Sequence, residues 1–122
     1  MVADMAALKI TIVLASGARI GPGKAALLES IRDTGSISAA ARGMGMDYKR
    51  AWTLLDSMNQ AFDVPVAEAA PGGTRGGGAT LTAFGAELLT RYRRLEAVTA
   101  GLAAEDLAAF AAHARPDPGP KV

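Results

Sequence analysis

Residues 36–62 read S-I-S-A-A-A-R-G-M-G-M-D-Y-K-R-A-W-T-L-L-D-S-M-N-Q-A-F, an order that two helices joined by a tight turn explain. Asp47 stands where an N-cap is needed, its carboxylate able to accept from the orphan amides of the second helix. At 3.6 residues per turn, Ala51, Leu54, Leu55, Met58 and Phe62 share one side of that helix. Lys49, Arg50, Thr53, Ser57 and Gln60 fall on the other. Cations and short hydrogen-bonding side chains near a helix N-terminus, free of bulky apolar groups, suit a helix that enters a major groove. The Ala39-Ala40-Ala41 run lets the preceding helix pack closely, and Gly43 and Gly45 mark the turn.

The segments on either side complete the pattern. Residues 8–14, L-K-I-T-I-V-L, alternate and then become β-branched, which predicts a strand. Gly17, Gly21, Pro22 and Gly23 end it, and residues 24–33 predict a helix burying Ala25, Leu27, Leu28 and Ile31, closed by Gly35. The segment G-A-R-I-G-P-G-K-A resembles a phosphate-binding loop but fails twice. Five residues instead of four separate Gly17 from the Gly-Lys pair, and Ala25 stands where a magnesium-binding hydroxyl is required. After the second helix, residues 66–69 and 79–82 predict two strands of a wing, with a glycine-rich tip carrying Arg75 between them. Glycine there allows backbone amides to approach phosphates, and Arg75 is placed to enter a minor groove or clamp the backbone.

From residue 83 the chain is alanine-rich, with Thr82 as the expected N-cap. Phe84, Leu88, Tyr92, Leu95, Val98 and Leu102 recur at three- and four-residue steps. A seam of this length predicts pairing with a second copy through Leu88, Tyr92, Leu95, Val98 and Leu102. The expected organisation is a winged helix-turn-helix over residues 1–82, with its wing at about 66–82. A dimerisation helix follows over 83–114, with Gly101 as a candidate break, and then a disordered tail over 115–122. The fold class is mainly α with a small β wing.

Composition sets limits on chemistry. The 122 residues suit one core, and a net charge of +1 means any basic footprint must be local. Within residues 36–82, Arg42, Lys49, Arg50 and Arg75 are balanced by Asp47, Asp56, Asp63 and Glu68. Zero cysteines exclude disulfides and thiol catalysis. The single histidine, His113, cannot build a metal site alone, and the dispersed carboxylates have no base or nucleophile beside them. The expectation is therefore no enzyme, no cofactor and no metal. Without a signal peptide or a run of about 18 apolar residues, the expected location is the cytoplasm, with no membrane partner. Trp52 lies beside the apolar arc and is expected to pack into the core and hold the helix angle. Tyr48 is either a phosphate donor or a packed ring with an exposed hydroxyl.

The order S-I-S-A-A-A, G-M-D-Y-K-R-A-W, Met58-Asn59-Gln60 and G-G-T-R-G-G-G-A-T-L-T, over roughly residues 23–94, resembles the N-terminal DNA-binding domain of the molybdate-responsive ModE regulators, itself similar to the LysR-type winged helix-turn-helix. The resemblance implies a homodimeric regulator of transcription bound to double-stranded DNA at an inverted repeat. Lys49, Arg50 and Thr53 would read bases with help from Ser57, while Ser36, Ser38, Tyr48 and Arg75 would mostly hold phosphates. Nothing after Arg94 resembles the molybdate-binding domains of that family, so a molybdate response would need a separate sensing partner. The competing expectation is a winged-helix protein-interaction or dimerisation module that does not bind specific DNA.

Overall fold

The computed structural model describes residues 6–70 and 78–116. It opens with a small antiparallel hairpin, β1 (Ile12–Val13) and β2 (Arg19–Ile20), in which Ile12 faces Ile20. The strand expected over residues 8–14 contracts to two residues because its partner is no longer. Gly21 and Pro22 follow Ile20 at once, and Pro22 opens α1 (Pro22–Thr34) at the position where a missing N–H costs nothing. Helix α1 buries Ala25, Leu27, Leu28 and Ile31 and stops at Gly35, whose φ of 70° lets its N–H reach the Ile31 carbonyl.

Helix α2 (Ile37–Gly43) starts at Ser36, whose hydroxyl oxygen accepts the Ala39 N–H at 3.1 Å, and it buries Ala40 and Ala41. Helix α3 (Tyr48–Ala61) starts at Asp47, which accepts the Arg50 N–H at 2.7 Å. It buries Ala51, Leu55 and Met58, while Phe62 just beyond it meets Phe84 edge-to-face at 4.9 Å. The two-stranded wing base is β3 (Ala67–Ala69) against β4 (Ala79–Leu81), with Ala67 opposite Leu81. The α1–α2 junction joins this sheet. Ser36 bridges Gly78, and the Ala79 N–H donates to the Gly35 carbonyl at 2.9 Å.

Helix α4 (Ala83–His113) is capped by Thr82, which accepts the Gly85 N–H at 3.0 Å and donates to the Pro65 carbonyl at 2.6 Å. Gly85 lies against the Val66 carbonyl so closely that a Cβ there would overlap backbone atoms. The core is filled by Ile20, Leu27, Leu28, Ile31, Met58, Val66 and Tyr92. The Tyr92 hydroxyl donates to the Ile10 carbonyl at 2.7 Å, fastening the N-terminal segment to α4. Beyond Tyr92 no described residue is buried, and Arg93 pairs with Glu29 of α1 at 3.0 Å where the helix leaves the core. The helix runs unbroken through Gly101. Its last 21 residues therefore project about 30 Å. Residues 117–122 of the expected tail lie outside the described residues. Among the described residues no helix is long and apolar enough to cross a membrane.

Candidate nucleic-acid interface

The α2–turn–α3 arrangement leaves one side of α3 open. Lys49, Arg50, Thr53, Ser57 and Gln60 are exposed there, opposite the arc that buries Ala51, Leu55 and Met58. Asp47, Lys49, Arg50, Thr53 and Leu54 line a shallow depression at the start of the helix. The hydroxyl of Thr53 donates to the Lys49 carbonyl at 2.9 Å, and that of Ser57 to the Leu54 carbonyl at 2.7 Å. With their protons committed to the helix, both oxygens are left to accept, and Lys49 and Arg50 supply the donors. The Asp47 carboxylate beside them is held by its capping bond to the backbone.

Ser36 and Ser38, expected at phosphates, are half-buried at the start of α2. The Ser36 oxygen is occupied by its cap, which leaves its O–H as the group able to donate outward. Tyr48 is 51 % exposed, at the first position of α3. Arg75 and residues 71–77 of the wing tip expected at 71–78 lie outside the described residues.

Two aromatic expectations are corrected. Trp52 is 49 % exposed rather than packed in the core. Residue 52 sits on the flank of α3, about 90° from the middle of the buried arc at 100° per residue, where no other element covers it. Tyr92, expected on the pairing seam, is instead buried, because it is turned about 60° from Leu95 toward the core. Leu88 packs partly against the same core. Leu95, Val98 and Leu102 are exposed, and so is Phe110 at 71 %, a position the periodicity reading left out.

No protein-family model matches the chain. Over 87 residues, 71 % of its length, it is 51 % identical to the molybdenum-pterin-binding protein MopB of Rhodobacter capsulatus. It is 39 % identical over 87 residues to the transcriptional regulator ModE of Haemophilus influenzae. With the DNA-binding transcriptional dual regulator ModE of Escherichia coli it shares 42 % identity over 71 residues, 58 % of this chain. The chain is homologous to the ModE regulators. The alignments cover 32 %, 34 % and 27 % of those three relatives, so the chain spans about a third of their length. The crystal structure of a CbnR_DBD-DNA complex matches with a TM-score of 0.58 and 18 % identity, over 72 % of this chain and 95 % of that one. That likeness establishes the winged helix-turn-helix fold. None of these relatives is named as an enzyme.

Within this ModE-homologous fold, sequence reasoning missed how the parts are joined. Asn59 accepts the Val66 N–H at 2.7 Å and donates to the Ala67 carbonyl at 3.3 Å, tying α3 to the first wing strand. An asparagine near the end of the second helix, shortly before a proline and a short strand, was the available signal.

Proposed function

We propose that this chain is a sequence-specific DNA-binding regulator of transcription that acts as a homodimer on an inverted repeat. The observation that carries it is the open face of α3, where Lys49, Arg50 and Thr53 stand together at a capped helix N-terminus with no other element over them. Lys49 and Arg50 donate, Thr53 and Ser57 accept, and this pairing of functions suits the donors and acceptors of base edges in the major groove. Both cations are clear of ion pairs among the described residues, so neither must give up a partner to reach DNA. The names of the ModE relatives and the DNA in the CbnR complex support the same reading. Twofold pairing through Leu95, Val98 and Leu102 of α4 would present two α3 helices to successive major grooves about 34 Å apart. Ser38, Ser36, Tyr48 and Arg75 would hold the backbone.

Selection of bound duplexes from a random pool tests this directly. An inverted repeat is the expected outcome, with retention that weakens steeply as salt rises. Recovery of no motif, with salt-independent or absent retention, would favour a winged-helix protein-interaction module, in keeping with the net charge of only +1.

A further inference from the structure

We propose that Trp52 reads sequence by packing its indole against the 5-methyl group of a thymine in the major groove, an inference that rests on the DNA-binding reading above. The chain has one tryptophan, and tryptophan is among the residues most highly buried on average. Here it is 49 % exposed on α3, outside the aromatic pair that Phe62 and Phe84 form among the described residues. The core has no use for it. Its place on the helix is informative. At 100° per residue, Trp52 is about 60° from Lys49 on one side and about 20° from the line of Asn59 on the other. Asn59 is the residue bonded to Val66 and Ala67, so Trp52 lies on the wing side of α3, along the border of the cationic and hydroxyl-bearing face. Tyr48, 51 % exposed, precedes it by one turn on the same border.

An apolar ring about 60° from Lys49, on the border of the open face, calls for an apolar partner within a polyanion. In the major groove the thymine methyl is that partner, and it is the one apolar group by which the groove distinguishes base pairs. The indole thus adds a thymine preference that the donors and acceptors of Lys49, Arg50 and Thr53 do not supply.

The test uses the intact chain and the duplex selected from the random pool, with each thymine replaced in turn by uracil, which lacks only the methyl. At one thymine in each half-site the replacement should weaken the wild type about fourfold, the loss expected for one buried methyl-sized group. In Trp52→Ala the same replacement should make no difference, and Trp52→Phe should keep part of the effect. Because Trp52 is the sole tryptophan, the protein's indole emission should change as duplex saturates it. Equal uracil losses in wild type and Trp52→Ala, indifference of the wild type to uracil at every position, a selected site without thymine, or unchanged emission at saturation would each overturn the inference alone. Failure to retain any duplex would overturn the functional reading and this inference together.

Discussion

The side-chain oxygen of Asn59 accepts the Val66 N–H at 2.7 Å, joining the last turn of the exposed α3 helix to the strand that enters the wing. Val66 is fully buried, so its N–H has no access to water. Removing the acceptor leaves a buried donor without a partner, at a cost of about 1 to 3 kcal/mol. Asn59→Ala should therefore lower the chemical denaturation midpoint by a corresponding amount, with helical circular dichroism retained. An unchanged midpoint would mean that the wing base does not depend on α3.

Two glycines of α4 should respond oppositely to alanine. A Cβ at Gly85 meets the Val66 carbonyl, a backbone group that cannot move aside without disturbing β3 and the Thr82 cap. Gly85→Ala should destabilise by several kcal/mol, in the range of severe overpacking. At Gly101 a Cβ meets nothing within 4 Å, and helix propensity favours alanine by about 1 kcal/mol. Gly101→Ala should raise the thermal midpoint, which differential scanning calorimetry would show.

Arg50→Ala should lower affinity and relax preference at one base position, since a bidentate base contact is worth about 1 to 3 kcal/mol. Arg75→Ala should instead weaken binding to all duplexes alike and reduce the salt slope by about one unit. Titrations at several salt concentrations separate the two effects.

Leu95 is 40 % exposed on α4 just beyond the core, so an aspartate there should leave the monomer folded while placing a charge in the proposed pairing seam. Burying an unpaired carboxylate costs several kcal/mol, enough to dissociate a modest interface. Sedimentation should show Leu95→Asp as a folded monomer that keeps only weak, salt-sensitive affinity for a half-site. A monomeric wild type would remove the twofold reading.

Burial raises the Tyr92 phenol above the ordinary tyrosine value of 10.0, with Glu96 adding to the rise and Arg93 opposing it. The folded chain therefore holds the phenolic proton more tightly than the unfolded one. Its contribution is complete below the ordinary value and is lost as pH rises through the folded one. Tyr92→Phe should lose about 1 kcal/mol at neutral pH with its bond to Ile10, and as pH rises above about 10 its stability should fall less than that of the wild type. Denaturation midpoints across that range provide the check.

The helix-turn-helix was legible because its signals are local. Asp47 and Thr82 each act on an amide three residues ahead, and the α3 arc of Ala51, Leu55 and Met58 follows from helical period alone. The first strand was legible, though shorter than expected, but its partner β2 was not, since two residues carry too little alternation to register. Trp52 and Tyr92 were misread for a shared reason. Each lies at the edge of an apolar arc, where period does not decide whether a neighbour covers the ring. For Tyr92 that neighbour is the segment ending at Ile10, 82 positions away, which no local pattern reveals. The ties of Asn59 to Val66 and Gly35 to Ala79 are likewise contacts that form only once the chain has folded.

Val66 is the point where three parts of the molecule meet. Its N–H is held by Asn59 of α3, its carbonyl accepts from Thr82 at 3.0 Å, and the same carbonyl is pressed by Gly85 of α4. Helix α4 is in effect a lever whose short arm ends at this residue and whose long arm projects about 30 Å. A tilt of about 2° moves the far tip by about 1 Å over that length. In the proposed twofold pair, small changes in how two such arms cross would become fine adjustments in the aim of the exposed helices.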